Sequence, residues 1–274
     1  MSGTLSLVAT PIGNLGDLPP RAIEAFEAAD IVCCEDTRRT GSLLKHVGVR
    51  VEELRRFDEH TEYDSIPGLL ERLVAGANVV VVSDAGTPGI SDPGERLVAA
   101  AVEAGITVTT VPGPVAAVAA LVSSGLPSSR FVFEGFLARK GQERAAQVAS
   151  IAGESRTTVF YESPNRVAAT LAALAEACGP ERRAVVAREL TKLHEELRRG
   201  TLGELAEWAD GGVKGEVVVV VEGVAAPAEL DDAALVERLT ALLATGSSKR
   251  DAVDQVSAET GARRGRVYDL VLTI

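Results

Sequence analysis

A loop rich in glycine and proline follows one of the Val-rich segments of the chain. Residues Ser83 to Gly94 contain three Gly, two Pro and two Asp. Glycine and proline at this density predict a rigid loop whose backbone donors and acceptors remain accessible to a ligand. The loop would follow a central parallel strand, at the sheet edge where open α/β sheets bind ligands. A zwitterionic or nucleoside ligand suits such a loop, and a long solvated loop is the alternative.

A second polar segment follows another predicted strand. Glu35 and Asp36 stand next to Arg38 and Arg39, so the segment could combine a general base with an anion clamp. A solvated, salt-bridged helix start would show the same pattern. Residues 55–62 repeat this mixed character and add Glu59 as a candidate base.

Three further segments end predicted strands. Residues 9–18 form a Gly-rich turn, but it is not G-x-G-x-x-G and Pro11 removes a backbone donor, which disfavours a dinucleotide site. A plain strand-to-helix turn is equally consistent with it. Residues 160–166 and 188–196 would direct polar side chains toward whatever lies between two domains: Tyr161, Arg166, Arg188 and Lys192.

Alternating strand and helix patterns must position these residues. Strands are predicted at 5–9, 31–34, 78–83 and 106–111, then at 130–136, 157–161, 183–188 and 215–222. Helices are predicted at 21–29, 66–75, 95–104, 115–122, 142–152, 165–177, 202–209 and 231–244, with another after Ser248 and a last helix or strand at 266–272.

The predicted domains follow from this alternation. Residues 1–114 form an α/β domain with a parallel sheet, and residues 115–226 form a second one with a mixed sheet. Residues 227–274 form a helix-turn-helix-like module, and 225–228 read as a linker. The turn Pro112-Gly113-Pro114 is the predicted hinge.

Composition narrows the function classes. The chain has 274 residues, is 46% hydrophobic and carries a net charge of −11, which disfavours non-specific coating of nucleic acid. Residues 1–129, 130–200 and 201–274 carry net charges of −8, +3 and −6, so a local basic cleft is still compatible.

The sequence gives little support for a membrane protein or for a metal site. No apolar run reaches the ~20 residues of a membrane helix, and the first residues do not resemble a signal peptide. Three cysteines without C-x-x-C spacing predict a reducing cytoplasm and no zinc site. His194-Glu195-Glu196 is not H-E-x-x-H, so no metal is expected.

Six segments, taken together, resemble one family. They are ATPIGNLGD, CEDTRRT, SDAGTPGISDPG, VPGP, FYESPNR and RELTKLHEE. In this order and spacing they resemble the bacterial small-subunit ribosomal RNA methyltransferase I family, over nearly the whole chain. That family belongs to the tetrapyrrole methylase superfamily and methylates the ribose 2′-hydroxyl of a cytidine in the decoding region of 16S ribosomal RNA. Thr10-Pro11-Ile12-Gly13 departs from the first loop of the tetrapyrrole enzymes and agrees with the ribosomal RNA branch.

The resemblance implies a fold and a cofactor. The fold is α/β, with two domains of tetrapyrrole methylase type, the cofactor cleft between them and a small C-terminal helical module. The cofactor is S-adenosyl-L-methionine. Carried over by motif, the positions expected to touch it are Ile12, Asp84, Ala85, Gly86, Ile90, Ser91, Val115, Ala116 and Tyr161.

The resemblance also implies partners and catalytic positions. The expected catalytic positions are Glu35, Asp36, Arg38 and Glu162. The expected contacts to substrate RNA are Arg38, Arg39, Arg166 and Lys192. The weakly basic charge of the C-terminal module predicts that Lys249 and Arg250 help it to dock on ribosomal RNA, and a helical cap or a dimer element is the alternative for that module. The partner would be 16S ribosomal RNA or the small ribosomal subunit, and the protein would be a cytoplasmic homodimer that does not bind membranes.

Two alternatives stay open at this point. A tetrapyrrole C-methyltransferase would use the same cofactor and cleft, but the first loop, CEDTRRT and the C-terminal module weigh against it. A non-enzymatic regulator that binds nucleic acid through the C-terminal module conflicts with the acidic charge and with two large α/β domains.

Overall fold

The computed structural model describes residues 2–224 and 230–274, which form two compact units divided between Gly223 and Val224. The predicted linker at 225–228 and the predicted boundary at 226/227 lie outside the described residues.

Ten strands and eight helices make up the first unit, within residues 2–223. The strands are β1 (Thr4–Val8), β2 (Ile31–Cys34), β3 (Glu53–Arg56), β4 (Val79–Val81), β5 (Thr107–Val111), β6 (Phe131–Phe136), β7 (Thr157–Glu162), β8 (Arg183–Arg188), β9 (Glu196–Thr201) and β10 (Val217–Val221). The helices are α1 (Pro20–Glu27), α2 (Thr37–Val47), α3 (Glu62–Val74), α4 (Glu95–Glu103), α5 (Ala116–Ser124), α6 (Gly141–Gly153), α7 (Val167–Cys178) and α8 (Leu202–Asp210).

The first sheet is parallel, and its strands β2 and β4 are buried on both faces. Its order is β3-β2-β4-β1-β5, and every pair in it is parallel. Successive residues of a strand face opposite sides, so Ile31 and Cys33 belong to one apolar cluster while Val32 and Cys34 belong to the other. The continuous apolar strands follow from this double burial.

The second sheet is mixed. Its order is β6-β7-β10-β8-β9, in which only the β6–β7 pair is parallel. All five valines of β10 are buried between α5 on one face and the α7–α8 layer on the other. The predicted division at 114/115 separates the two sheets in sequence and stays a prediction.

Two edge strands and one helix were not predicted, because their sequences lack an apolar pattern. The same four residue types, ELRR, open both β3 and β9, and both strands lie at a sheet edge. Charged side chains are typical of edge strands, where they discourage pairing with another chain. A search for apolar alternation therefore misses both strands, and it also misses α2, whose first turn is Thr37-Arg38-Arg39-Thr40.

Helix α3 begins four residues earlier than predicted. The prediction started at Ile66, immediately before Pro67, whereas the helix starts at Glu62 and contains that proline in its second turn. The missing proline N–H would have paired with the carbonyl of Tyr63, a residue that is 73% exposed.

Three helices form the second unit around its own apolar cluster. They are α9 (Asp232–Ala244), α10 (Lys249–Thr260) and α11 (Arg264–Val271). Asp231 and Ser248 cap α9 and α10 by accepting backbone hydrogen bonds, as the sequence predicts. The last segment, predicted as helix or strand, is a helix. Within the described residues, no helix is long and apolar enough to cross a membrane.

Removing the buried side chain of α4 is expected to destabilise the first unit. Leu97 is fully buried between α4 and the first sheet. Leu97→Ala should lower the free energy of unfolding by about 2–5 kcal/mol, because it leaves a cavity. Val102 on the same helix is 62% exposed, so Val102→Ala should change the free energy of unfolding by less than about 0.5 kcal/mol. Urea denaturation of both variants measures the difference, and equal midpoints would contradict this packing.

Candidate functional site

A cavity of about 390 Å³ lies between the two sheets of the first unit. Such a volume is within the range of about 300–1,000 Å³ that small-molecule sites occupy. Strand ends of both sheets line it, and so do the Gly/Pro-rich loop and the start of α5. All nine positions expected to touch the cofactor are among the lining residues: Ile12, Asp84, Ala85, Gly86, Ile90, Ser91, Val115, Ala116 and Tyr161.

The Gly/Pro-rich loop is pinned at its start to the end of β1. Thr10 and Gly86 exchange backbone hydrogen bonds of 2.8 and 3.0 Å, and the Thr10 hydroxyl donates to the carbonyl of Ser83. Gly86 has a φ of +85°, and a Cβ there would approach Ile12 and the Pro114 carbonyl. Glycine therefore keeps backbone close to the cavity where another residue would strain it.

A buried carboxylate holds the other end of the loop. Glu62 is 6% exposed, and its Oε1 accepts from the backbone N–H of Gly94 at 3.1 Å. Gly94 is the N-cap of α4 and has a φ of +133°, which side chains rarely permit. Between the two anchors, Ser91 has a φ of +61°. A left-handed non-glycine residue costs about 1–3 kcal/mol and is typical of functional sites.

Two carboxylates accept backbone hydrogen bonds across the ends of β2 and β4. Glu35 Oε1 accepts from the Asp84 N–H at 3.0 Å, and Asp84 Oδ1 accepts from the Asp36 N–H at 3.1 Å. The Arg39 guanidinium lies 3.3 Å from the other Asp84 oxygen. These contacts join the segment around Glu35 to the Gly/Pro-rich loop.

Negative charge accumulates on this side of the cavity. Burial raises the pKa of Glu35, and the Asp84 carboxylate adds to the effect. Burial also raises the pKa of Asp92, with help from the carboxylates of Glu35 and Asp84, to about 7. A cationic ligand would be favoured here, because it compensates carboxylates that repel one another.

The opposite wall is aromatic. Tyr161 lies edge-on to Phe133 with ring centres 5.0 Å apart, and Phe136 lies 5.4 Å from it on another side. The Ala117 N–H, in the first turn of α5, donates to the Tyr161 hydroxyl at 3.4 Å. Burial raises the pKa of Tyr161, so the hydroxyl stays protonated at neutral pH.

Glu162 and Arg166 bind to each other and to the protein. The Glu162 carboxylate is fully buried and accepts from the Ser163 N–H, the Thr170 hydroxyl and the Arg166 guanidinium. Arg166 also donates to the carbonyls of Leu137 and Ala138. These contacts favour a positioning role for Glu162. They weigh against its predicted role as a general base, and against the predicted contact of Arg166 with an RNA phosphate.

Lys192 is similarly occupied. Its ammonium lies 2.9 Å from Glu189 and 3.0 Å from Glu216, and hydrogen bonds to both carboxylates raise its pKa against the opposing effect of burial. Glu189 has a φ of +51°. These contacts favour a role for Lys192 in shaping this loop, and its contact with RNA stays a prediction.

A second cavity of about 640 Å³ adjoins the first. The two share Arg39 and Asp84 as lining residues. One face of α2 forms a wall with Arg38, Ser42 and His46 at a spacing of four residues. Arg38 is 90% exposed and donates to both oxygens of Asp36, which caps α2 by accepting from the Arg38 N–H.

The predicted RNA contacts of the second unit lie on α10. Lys249 donates to the carbonyl of Val271 at 3.0 Å, so it fastens α10 to α11. Arg250 occupies the next position and is exposed. Arg264 and Arg266 pair with Asp254 and Asp232, which reduces the basic charge of the unit.

Two acidic residues of the site were not predicted from the sequence. Asp92 lines the first cavity, and Glu62 anchors the loop that carries it. The second aspartate within a loop already singled out was a signal for Asp92. No sequence signal marks Glu62, because a glutamate in the first turn of a helix is common.

The lining residues fit S-adenosyl-L-methionine. This ligand carries a sulfonium and an ammonium against one carboxylate, together with a nucleoside. Glu35, Asp84 and Asp92 suit its positive charge, while Ile12 and Val115 offer apolar surface. Gly86 leaves room that a Cβ would reduce. Among the described residues, no group of three His, Cys, Asp or Glu could hold a metal ion.

Comparison with known proteins agrees with this geometry. The family described as Tetrapyrrole (Corrin/Porphyrin) Methylases matches residues 4–206. A Mycobacterium tuberculosis (strain ATCC 25618 / H37Rv) protein named ribosomal RNA small subunit methyltransferase I is 49% identical over 99% of this chain and 95% of its own length.

Two solved structures have the same fold. A diphthine synthase is 18% identical, with a TM-score of 0.64 over 80% of this chain and 90% of its own. A uroporphyrin-III C-methyltransferase from Thermus thermophilus, complexed with S-adenosyl homocysteine, is 17% identical, with a TM-score of 0.56 over 80% of this chain and 97% of its own.

Replacing Glu162 tests whether it positions or reacts. Glu162→Ala leaves the Arg166 guanidinium without its buried partner, so the free energy of unfolding should fall by about 3–5 kcal/mol. The exposed pair Arg183–Glu222 is the control, because Glu222→Ala should cost about 0–1 kcal/mol. Chemical denaturation measures both. A Glu162 variant as stable as the wild type but inactive in methyl transfer would instead indicate a catalytic base.

Proposed function

The chain belongs to the tetrapyrrole methylase family and, within it, to the ribosomal RNA small subunit methyltransferase I proteins; on this premise we propose that it methylates the ribose 2′-hydroxyl of a cytidine in the decoding region of 16S ribosomal RNA. The methyl donor is S-adenosyl-L-methionine. The ribosomal RNA substrate is inferred from relatives named ribosomal RNA small subunit methyltransferase I, which are 49% identical to this chain over nearly its full length.

The cavity between the sheets is the proposed cofactor site. S-adenosyl-L-methionine supplies, when bound, an electrophilic methyl group on a positively charged sulfur. The carboxylates of Glu35 and Asp84 compensate positive charge, and the Gly/Pro-rich loop presents backbone donors and acceptors. The main work of the protein is then to align the hydroxyl oxygen, the methyl carbon and the sulfur. A ribose hydroxyl is scarcely ionised at neutral pH, so a base or a cation beside it assists the transfer.

The second cavity is the proposed site of the acceptor nucleotide. It meets the first at Arg39 and Asp84, so a ribose held there would lie beside the methyl donor. Arg38 and Arg39 are exposed cations in this cavity that can exchange their carboxylate partners for RNA phosphates. Asp36 then acts by capping α2 and orienting Arg38.

The second unit is the proposed docking element for RNA. Arg250 is an exposed cation at the start of α10, whereas Lys249 is used within the unit. Arg250→Ala should weaken binding of small subunits and leave cofactor affinity unchanged, as measured by filter binding and calorimetry. The homodimer and the cytoplasmic location implied by the resemblance stay predictions, which sedimentation and cell fractionation can check.

The tetrapyrrole C-methyltransferase alternative is weaker. Uroporphyrin and precorrin enzymes share the fold at low identity, as does a diphthine synthase, so the fold alone selects no acceptor. The ribosomal RNA relatives, in contrast, combine 41–49% identity with 98–99% coverage of this chain.

A methyl-transfer assay tests the proposed function. Purified protein is incubated with methyl-labelled S-adenosyl-L-methionine and small ribosomal subunits that lack the modification, and the RNA is then hydrolysed in alkali. A 2′-O-methyl group blocks cleavage at its nucleotide, so label is expected in an alkali-resistant dinucleotide that contains cytidine. Absence of label, with cofactor binding demonstrated, would favour porphyrinoid acceptors.

Removing the Arg38 side chain should weaken RNA binding. Arg38→Ala should reduce by about 1 the slope of log affinity against log salt, because one phosphate contact is lost. Arg96→Ala is the matched control, since Arg96 is exposed on α4 and lines neither of these cavities. Binding of subunits at several salt concentrations measures the slope. An unchanged slope in Arg38→Ala would remove Arg38 from the RNA site.

A further inference from the structure

A bulge near the end of β6 redirects the last side chain of that strand. Between Phe133 and Phe136 the strand advances by three residues, while its partner β7 advances by two. Because successive side chains of a strand alternate between faces, the extra residue places Phe136 on the same face as Phe133, and both rings contact Tyr161. Gly135 forms the bulge with a φ of +62°, and a Cβ there would lie 3.3 Å from the Ser91 hydroxyl. Bulges are common beside functional sites, where they redirect a side chain.

The redirected ring remains largely accessible to solvent. Phe136 lines the first cavity and is nevertheless 56% exposed, with its ring centre 5.4 Å from that of Tyr161. A large aromatic side chain left this exposed forgoes much of the stabilisation that burial provides, and beside a site it indicates a binding surface. The bulge therefore presents an aromatic ring at the solvent side of the cavity.

The backbone that follows this ring is held by side chains from two helices. We call residues 137–140, which connect β6 to α6, the β6–α6 turn. The Arg166 guanidinium donates to the carbonyls of Leu137 and Ala138 at 2.7 and 3.1 Å, and Arg144 donates to the Ala138 carbonyl at 3.2 Å. The Ala138 N–H donates to Gln147 Oε1 at 2.8 Å. The turn is therefore fixed at its first two residues.

The buried carboxylate of Glu162 supports both of these arginines. It accepts from the Arg166 guanidinium and from the Thr170 hydroxyl, and Arg144 donates to the same hydroxyl at 2.9 Å. Glu162 thus orients one arginine directly and the other through Thr170. A turn held in this way loses little conformational freedom when a ligand binds to it, which favours affinity.

Two exposed cations lie at the end of the turn. Arg139 and Lys140 follow Phe136 by three and four residues, so they lie within about 15 Å of it along the backbone. Across residues 2–224 and 230–274 neither side chain forms a hydrogen bond or an ion pair, not even with Glu143, the acidic residue nearest to them in sequence. Cations beside an exposed aromatic ring are complementary to the phosphates and bases of a nucleic acid strand.

We propose that Phe136 and the β6–α6 turn bind the single-stranded RNA that flanks the acceptor nucleotide, with the Phe136 ring stacked on one base and with Arg139 and Lys140 on phosphates. This inference rests on the proposed function. A single strand fits better than a duplex, because an aromatic ring reaches the face of a base only where that base is unstacked. The location is suitable, because the cavity that Phe136 lines adjoins the proposed acceptor cavity at Arg39 and Asp84.

Replacing the ring tests the stacking contact. Phe136→Leu keeps an apolar side chain but removes the aromatic face, so affinity for small subunits that lack the modification should fall by about 5–150-fold, the range for one stacked base. Phe136→Trp should retain the wild-type affinity. Phe131→Leu is the matched control: Phe131 is 41% exposed, lies about 16 Å away at the other end of β6 and lines neither of the two cavities. Filter binding measures all three variants.

Removing the two cations tests the phosphate contacts. The double variant Arg139→Ala/Lys140→Ala should reduce the slope of log affinity against log salt by about 1.4, because each phosphate contact with a single strand contributes about 0.7. Arg130→Ala is the matched control, since Arg130 is an exposed cation directly before β6 and should leave the slope unchanged. Arg139 and Lys140 are exposed, so the double variant is expected to fold as the wild type does.

Calorimetry with S-adenosyl homocysteine distinguishes RNA from the cofactor as the partner of the ring. The Phe136 variants and the double variant should bind this ligand as the wild type does. A loss of its affinity in Phe136→Leu, with RNA affinity unchanged, would assign the ring to the cofactor and overturn the proposal.

The remaining outcomes separate this RNA surface from the proposed function. Wild-type affinity in Phe136→Leu together with a wild-type salt slope in the double variant would overturn the surface, and so would equal losses in the two controls; the methylation assay would still decide the function. If the wild type binds small subunits but labels none, the acceptor in the proposed function is wrong, and weaker binding by the variants still supports the surface. A wild type that binds no small subunits would overturn both.

Discussion

Two hydrogen bonds that join residues 35–36 to Asp84 are the contact on which the cavity between the sheets depends. Each carboxylate accepts a backbone N–H from the neighbouring segment, so the ends of β2 and β4 are held together. This arrangement places two negative charges side by side at a partly buried edge of the sheet. The helix-capping carboxylate of Asp36 and the guanidinium of Arg39 join the same network, which extends from the first cavity into the second. A contact of this kind both fixes the loop and sets the electrostatic field of the site.

Acidic and basic side chains line different cavities of the first unit, which makes RNA binding compatible with an acidic protein. The cavity between the sheets is rich in carboxylates, which suits a cationic cofactor. The adjoining cavity presents exposed guanidiniums on α2, which suit phosphates. The net charge of −11 discourages non-specific binding of nucleic acid over the rest of the surface.

Burial explains which elements could be predicted. The valines of β4 and β10 are covered on both faces, so their sequences are continuously apolar and identify strands directly. Strands β3 and β9 lie at sheet edges and are built from the same charged tetrapeptide, ELRR, which shows no apolar pattern. Pro67 similarly obscured the true start of α3. The elements that were missed are those whose stability comes from neighbours rather than from their own apolar pattern.

The sequence by itself determined the α/β class, the family and nine of the residues that line the cavity between the sheets, because six motifs occur in one order and each ends a strand or begins a helix. Only the tertiary structure decided what each polar residue does there. Glu162 and Arg166 have the chemistry of a base and a phosphate ligand, yet they bind each other and nearby backbone. Glu62 is unremarkable in sequence and becomes an anchor because folding brings Gly94 to its carboxylate. A residue type limits which bonds a side chain can make, and the fold determines which partners come within reach of it.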